Sequence, residues 1–229
     1  MLITFYELAG GNPDLRFSPR CWRTRLALAH KSLEAEGIPW RFREAALLPK
    51  PNQGRVPVIS DQGRIVCDSW NIAEYLEATY PDRPSLFRGE GGRAHARFIN
   101  EWTETVLLPN ILRMIVLDLY QAVDDGDKSY FRQNREARLG STLENVQAGR
   151  EGRLPAFHAL LSPLQTTLAN QLWLGGMEPS YADHIVTAAF MWGHCVSHFS
   201  LVPAEGPIPD WWHRARAHYD GLGESAVRV

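Results

Sequence analysis

The sequence has few cysteines and no long apolar run, and each scarcity argues against a class of protein. Its three cysteines, Cys21, Cys67 and Cys195, lie far apart and form no Cys-x-x-Cys pair, which argues against a disulfide framework or a zinc ribbon. No stretch supplies the roughly 18 apolar residues that a membrane-spanning helix needs. Residues 1–8 are typical of a strand rather than a secretory signal, so we expect a soluble, cytoplasmic protein without a membrane partner.

The sequence also lacks a large excess of charge of either sign. The chain has 24 Lys and Arg against 26 Asp and Glu, a formal net charge of −2, and nucleic-acid binding usually shows as a basic excess. We therefore expect no nucleic-acid partner. The 229 residues are enough for one large domain or two small ones.

Two regions of different pattern divide the chain. Residues 1–82 mix strand and helix signals, and hydrophobic spacing predicts strands over 2–7, 40–44, 56–60 and 64–67 and helices over 19–31 and 69–79. After a linker over 82–92 the strand signals stop, and helices are predicted over 95–120, 129–146, 154–170 and 182–199. We expect bends at Pro109 and Pro163. The predicted fold class is an α/β thioredoxin-like domain (1–82) followed by an all-α helical bundle (93–229).

Ser18 is the first candidate functional residue because it precedes Pro19 at a predicted helix start. A serine in this place normally caps the helix. The start of a helix also favours anions, and a serine hydroxyl can accept one hydrogen bond while donating its proton to a thiolate. Cys21, in the same first turn, is the alternative nucleophile. We expect its side chain to point away from the site that Ser18 faces.

A second group of candidates surrounds Pro57. Proline within a strand removes a ladder donor, so we expect a cis peptide after Val56 that leaves the Val56 backbone free to pair with an extended ligand. An ordinary edge-strand proline is the alternative. Asp68 and Ser69 begin the next helix, where one of them suffices as a cap. The other could bind the charged groups of an amino acid.

Several segments resemble the glutathione transferase family, and within it the bacterial β-aryl etherases and related serine-type fungal transferases. They are SPRCWRTRLALAHKSL, GRVPVISD, DSWNIAEYLEATYPDRPSLF, LENVQAGREGRLP, and WLGG followed by YAD. The resemblance implies the thioredoxin-like fold, glutathione as co-substrate and a homodimer. It assigns the glutathione sulfur to Ser18, the cysteinyl backbone to Val56 beside cis Pro57, and the γ-glutamyl end to Asp68 and Ser69. Arg55 would lie near the tripeptide, and Lys50 or Gln53 near its glycyl carboxylate.

The reaction implied is attack of the glutathione thiolate on a small aromatic or apolar electrophile, and in the etherases on a β-aryl ether. Two departures from the etherases, a long loop over 10–15 and the lack of an extended C-terminal tail, leave the second substrate open. Three alternatives remain. A glutathione-dependent cis–trans isomerase should have an arginine-rich pocket, a thiol reductase would use Cys21, and a non-enzymatic interaction protein of this fold would not turn over glutathione.

Other residues invite functional interpretations that we consider weaker. His194 and His198 are four apart on a predicted helix, but no third ligand is evident, so we expect packed core histidines and no metal site. Tyr6 lies within a strand rather than after it, which argues against a role as thiolate donor. Val106, Asn110 and Met114 could form the far wall of the electrophile pocket, or the bundle core.

Overall fold

A four-stranded sheet organises the first part of the chain. The computed structural model describes residues 2–229, so Met1, the first residue of the predicted 1–82 domain, lies outside the described residues. The strand order is β2-β1-β3-β4, with β1 parallel to β2 and the other pairs antiparallel. The strands are β1 (Ile3–Leu8), β2 (Ala35–Trp40), β3 (Val58–Asp61) and β4 (Arg64–Cys67).

The predicted strand over residues 40–44 is wrong, because β2 lies five residues earlier. The parallel register pairs Ile3 with Ala35 and Leu8 with Trp40. The observed strand therefore ends at Trp40, the residue at which the predicted strand begins. β2 is an edge strand, where Pro39 costs no ladder bond. Residues 41–44 form a turn instead, which the Glu44 carboxylate closes by accepting from the Arg41 backbone N–H at 2.8 Å.

Two helices of the first part begin at the candidate residues. They are α1 (Pro19–His30), after Ser18, and α2 (Ser69–Thr79), after Asp68, and both agree closely with their predicted ranges. α1 packs with its apolar face against the helical part of the chain, so Leu26 and Ala27 are buried. The start of α1 is thereby placed between the sheet and the bundle.

The rest of the chain is helical. Its helices are α3 (Glu90–Trp102), α4 (Leu108–Ala122), α5 (Asp125–Leu139), α6 (Leu143–Gln147), α7 (Arg150–Leu160), α8 (Ser162–Leu168), α9 (Tyr181–Val196) and α10 (Pro207–Gly221). α9 is buried on nearly every side, as its apolar sequence predicts, and Trp211 of α10 packs beside it. The predicted fold class, a thioredoxin-like domain followed by an all-helical one, is confirmed. Among residues 2–229, no helix combines the length and apolar character that crossing a membrane requires.

Three of the predicted long helices are interrupted. Between α3 and α4 the chain makes a π-helical turn, Thr103–Leu107, which ends two residues before Pro109. In a regular helix the ring of Pro109 would clash with the carbonyl four residues earlier. The helix predicted over 129–146 is two helices because Gly140, with φ of 68°, ends α5. The helix predicted over 154–170 divides before Pro163, which lies in the first turn of α8.

Candidate functional site

A cleft of about 1050 Å³ lies between the sheet domain and the helical bundle. Seven residues that the sequence singled out line it together, namely Ser18, Gln53, Arg55, Val56, Pro57, Asp68 and Ser69. The opposite side is formed by α3, α4 and α5. Three chain segments that are far apart in sequence therefore meet on one wall of a single cleft.

Ser18 is the N-cap of α1. Its backbone is extended, and its hydroxyl oxygen accepts from the Cys21 backbone N–H at 3.4 Å. Pro19 at the first helical position needs no partner for a backbone N–H. Because a hydroxyl can accept and donate at once, the Ser18 proton remains available to a group in the cleft.

Cys21 points into the core. Its side chain is 1% exposed, its sulfur accepts from the Leu8 backbone N–H at 3.5 Å, and it does not line the cleft. Burial raises the pKa of the Cys21 thiol to about 12, so the thiol stays protonated at neutral pH. The position of Cys21 agrees with the prediction that its side chain points away from the site of Ser18.

The peptide bond between Val56 and Pro57 is cis, as the sequence predicts. The paired part of β3 begins at Val58, so Val56 lies beyond the ladder with its backbone at the cleft. The Pro57 carbonyl accepts from the Asp68 backbone N–H at 3.2 Å. This hydrogen bond holds the start of α2 next to the cis-proline turn.

Asp68 caps α2 from a backbone conformation that is rare for a residue with a side chain. Its φ is 77°, and one carboxylate oxygen, Oδ1, accepts from the backbone N–H groups of Trp70 at 3.0 Å and Asn71 at 3.3 Å. Such a conformation costs of order 1–3 kcal/mol and is often kept at functional sites. Ser69 is buried, and its carbonyl accepts from the hydroxyl of Tyr181 on α9 at 2.8 Å, which joins this wall to the bundle.

Arg55, expected near the tripeptide, and Lys50 and Gln53, the alternatives for its glycyl end, do not all lie at the cleft. Arg55 is exposed and donates to the side chain of Gln53, and both line the cleft. Lys50 precedes a second cis bond, to Pro51, and does not line the cleft. Of the two alternatives, Gln53 is therefore the one that the fold brings to the site.

Two arginines of α1 connect the site to the π-helical turn. Arg23, only 2% exposed, donates through Nη1 to Asn100 at 2.8 Å and to Glu104 at 3.0 Å, and Arg20 also pairs with Glu104. Burial lowers the pKa of Arg23, and the charge of Glu104 opposes this shift. Both ion pairs fix the first turns of α1, and therefore Ser18, against the helical domain.

The far wall differs from the predicted one. Val106, Asn110 and Met114 do not line the cleft, and Met114 is buried in the bundle core. The π-helical turn before α4 contains one more residue than a regular helical turn, so the face that α4 turns toward the cleft is rotated. Leu108, Leu112 and Arg113 of α4 line the cleft instead. The sequence analysis also did not predict that α5 lines the cleft. This helix contributes Tyr130, Phe131, Asn134, Arg135, Arg138 and Leu139. The adjacent aromatics Tyr130 and Phe131 in an otherwise polar helix were the available signal.

The remaining candidates lie outside the site. α9 ends at Val196, so His198 is exposed after it, and the prediction of a packed core histidine is wrong there. His194 is half-buried against Trp212 with ring centres 5.5 Å apart, and burial lowers its pKa to about 4. Tyr6 lies within β1, pairs with Ile38 of β2 and does not line the cleft. No group of three metal-ligating side chains occurs between residues 2 and 229.

The fold and the cleft define a class of protein: a thioredoxin-like domain followed by a helical bundle, with a site between them. A model of the glutathione S-transferase N-terminal domain matches residues 13–84, and a model of the C-terminal domain of the same family matches residues 94–200. These two matches take in most of the chain in the expected order. The chain therefore belongs to the glutathione S-transferase superfamily.

Individual relatives agree with this assignment along almost the whole chain. The structure is similar to crystal structures of glutathione transferase GSTFuA3 from Phanerochaete chrysosporium (27% identity, TM-score 0.82) and of a glutathione S-transferase from Ceriporiopsis subvermispora in complex with glutathione (25% identity, TM-score 0.80). Each similarity covers 96% of this chain and 97% of the other. The glutathione S-transferase-like protein ustS of Aspergillus flavus is 25% identical over 97% of this chain and 92% of its own length.

Proposed function

We propose that the protein is a serine-type glutathione transferase in which Ser18 Oγ donates a hydrogen bond to the glutathione thiolate. The observation that carries the proposal is the position of the Ser18 hydroxyl. It lines the cleft at the start of α1, where one backbone N–H donates to its oxygen and its rotatable proton can be donated to a ligand. A thiolate in the cleft would supply the acceptor for that proton.

The energies involved are sufficient. A free thiol has a pKa near roughly 8.5 and is only a few per cent ionised at neutral pH. Lowering this pKa by about two units requires about 2.7 kcal/mol. A hydrogen bond to a charged group contributes about 1.5–3 kcal/mol, and the start of a helix adds about 0.3–1 kcal/mol. Ser18 and the first turn of α1 can therefore keep the thiol largely ionised.

In this proposal the first domain, residues 1–82, holds the tripeptide. The Val56 backbone pairs with the cysteinyl unit, as an added strand would. Asp68 binds the ammonium of the γ-glutamyl end through its second oxygen, Oδ2, which caps no backbone N–H of α2. Ser69 and the start of α2 bind the neighbouring carboxylate. Arg55 and Gln53 bind the glycyl carboxylate.

The second domain, residues 93–229, supplies the pocket for the electrophile. Leu108 and Leu112 of α4 and the aromatic rings of Phe42, Tyr130 and Phe131 give this part of the cleft apolar surfaces. The thiolate attacks a carbon of an aromatic or apolar compound, a C–S bond forms, and the leaving group departs with the electron pair. In a β-aryl ether, the compound suggested by the sequence resemblance, the leaving group is a phenolate. We propose a homodimer on the same resemblance.

A second candidate function is glutathione-dependent cis–trans isomerisation of an unsaturated diacid. It would use the same serine, and its expected arginine-rich pocket agrees with the arginines of the cleft, among them Arg113 and Arg135. A reductase based on Cys21 is disfavoured because that thiol is buried away from the cleft. Turnover assays with a β-aryl ether, a halogenated aromatic and a maleyl diacid distinguish the reactions.

The test of the serine assignment is Ser18→Ala. We expect kcat/KM for a halogenated aromatic to fall roughly 10- to 100-fold, because one hydrogen bond to the thiolate is lost. The free energy of unfolding should fall by only about 1 kcal/mol, the usual contribution of a serine cap. The pKa of bound glutathione, followed by thiolate absorbance against pH, should rise in the variant.

Cys21→Ala is the matched control from the same turn. It removes a buried sulfur and leaves the Ser18 hydroxyl in place, so turnover should stay within about twofold of the original, as expected for a side chain that contacts no substrate. If Cys21→Ala abolishes turnover while Ser18→Ala does not, the serine assignment is wrong. If calorimetry detects no uptake of glutathione by the original protein, the transferase proposal itself fails.

A further inference from the structure

The helical wall of the cleft carries three arginines without carboxylate partners. Arg113 on α4 and Arg135 and Arg138 on α5 line the cleft, and among residues 2–229 none of the three forms an ion pair. Three other arginines of the cleft, Arg20, Arg23 and Arg97, do pair with carboxylates. Arg132 of α5 also pairs, with Glu136 on the same helix and with Glu144 on α6. The three guanidinium groups are therefore cations held at a cavity without a counter-charge.

Arg135 is the most constrained of the three. Its guanidinium carbon lies 4.9 Å from the ring centre of Phe131 and 6.0 Å from that of Phe42, and its side chain also donates to Asn134. Burial lowers the pKa of Arg135, and the positive charges of Arg138 and Arg20 lower it further. Arg20 is two residues from Ser18, so this cation lies within electrostatic range of the start of α1. Removing a cation from water beside other cations is costly unless an anion offsets it.

The charge of the cleft contrasts with that of the whole chain. The chain has a net charge of −2, yet the cleft is lined by seven arginines and three carboxylates. Two of the carboxylates are occupied, Glu101 by Arg97 and Glu104 by Arg20 and Arg23. The third, Asp68, caps α2 on the tripeptide side. Glutathione accounts for cations on that side, but it leaves the arginines of α4 and α5 unmatched.

We propose that the electrophile carries a carboxylate on an aromatic body, with Arg135 binding the carboxylate and Phe42, Tyr130 and Phe131 contacting the ring. Arg138 and Arg113 add positive charge around the same group. A guanidinium fork matches a carboxylate in a bidentate manner, and its planar face stacks on aromatic rings. The inference rests on the proposed transferase function and names the substrate class of its second subsite.

A matched pair of electrophiles tests the inference, namely 4-chloro-3,5-dinitrobenzoate and 4-chloro-3,5-dinitrobenzamide. In both, the glutathione thiolate forms a C–S bond at the chlorinated carbon and chloride leaves with the electron pair of the C–Cl bond. The two differ in the charge of a group remote from that carbon. With each rate divided by the uncatalysed rate, we expect kcat/KM to favour the benzoate by about tenfold or more, mainly through KM.

Variants separate the arginine wall from the general charge of the protein. Arg135→Met should lower the benzoate-to-benzamide ratio to about one, and Arg138→Met, at an exposed side chain, should lower it less. Arg83→Met removes an equal charge from the exposed linker, outside the cleft, and should leave the ratio unchanged. Added salt should reduce the ratio in the original protein, because the interaction is between charges.

The outcomes distinguish this inference from the proposed function. Turnover of both compounds with a ratio near one in the original protein overturns the carboxylate subsite and leaves the transferase intact. A clear preference that survives both Arg135→Met and Arg138→Met also overturns it. If Arg135→Met does not fold, the test passes to Arg138→Met. An unchanged benzoate-to-benzamide ratio in Arg138→Met, or an equal fall of that ratio in Arg83→Met, also overturns the carboxylate subsite. Turnover of neither compound, with no heat of glutathione binding, contradicts the transferase proposal instead.

Discussion

Two helix starts in this protein share a serine at the N-cap but have different surroundings. α9 begins with Ser180 and Asp183, whose buried carboxylate accepts from the backbone N–H groups of Leu174 (2.7 Å), Gly175 (2.9 Å) and Ser180 (2.9 Å) and from the indole of Trp211 (3.2 Å). α1 begins with Ser18, whose hydroxyl accepts one long hydrogen bond of 3.4 Å and faces the cleft.

The difference shows how a cap that holds the fold can be told from one that is available for chemistry. Asp183 is surrounded by donors from the α8–α9 loop and from α10, so no capacity remains for a ligand, and its loss would leave several donors buried without partners. Ser18 satisfies one N–H and retains its own proton. A serine caps both helices, but only the count of remaining donors and acceptors separates their roles.

The largest effect that we expect concerns the saturated cap. Asp183→Ala leaves three backbone N–H groups and an indole N–H without their acceptor in a buried region, which should lower the free energy of unfolding by about 3–5 kcal/mol. Chemical denaturation measures this loss. Ser180→Ala, which removes only a 3.3 Å hydrogen bond to Asp183 and the N-cap hydroxyl, should cost about 1 kcal/mol. Equal losses in the two variants would contradict the contrast between them.

The next effect is a loss of stability in acid, from a buried chain of polar groups beside Asp183. The Ser85 carbonyl accepts from His30 Nε2 at 3.1 Å, so His30 Nδ1 is an acceptor for the hydroxyl of Tyr219 at 2.7 Å. The Tyr219 oxygen in turn accepts from His184 Nε2 at 2.7 Å. This arrangement requires a neutral imidazole at His30, and the Nδ1 of His184 is buried without a hydrogen-bond partner.

Burial lowers the pKa of His30 and lowers that of His184 well below its usual value, and nearby positive groups, Lys31, Arg88 and His218, act in the same direction. Below about pH 6.5 the unfolded chain takes up protons that the folded protein does not. The free energy of unfolding should therefore be constant above about pH 7 and fall by about 2 kcal/mol between pH 7 and 5.

Urea unfolding at several pH values measures this acid effect. His184→Gln, whose amide can replace the Nε2 donor but does not titrate, should flatten the curve. His213→Gln, at an exposed histidine outside the chain of polar groups, should not. A curve that stays as steep in His184→Gln as in the original protein would show that other groups dominate.

The smallest effect concerns Asp68, whose cap is intermediate between the other two. The backbone N–H groups of Trp70 and Asn71 both donate to Oδ1 of Asp68, which leaves Oδ2 for the glutathione ammonium in our proposal. Asp68→Asn keeps a good capping side chain but removes the charge, so the Kd of glutathione should rise about tenfold with little change in stability. Calorimetry and thermal melting measure the two quantities. Asp82→Asn, in the exposed linker, is the charge-matched control, and an equal rise there would argue against a contact at Asp68.

Sequence reasoning succeeded where local chemistry decides structure. Ser18 with Pro19 and Asp68 with Ser69 both begin helices, because capping depends on residues within one turn. The cis bond before Pro57 also follows from a local conflict. The prediction failed for β2, where the parallel partner of β1 selects residues 35–40 over the alternating pattern of 40–44. Of the two alternatives for Val106, Asn110 and Met114, the far wall failed, because one π-helical turn rotates α4, and Met114 lies in the bundle core.

The amino-acid order alone determined the order of the two kinds of structure and the polar groups at the starts of α1 and α2, since these depend on short-range periodicity and capping. Only the folded chain decided which of these groups share a cavity. Arg135 and Arg138 of α5 show this most clearly, because among residues 2–229 neither forms an ion pair, a property of distances between side chains rather than of spacing along the chain.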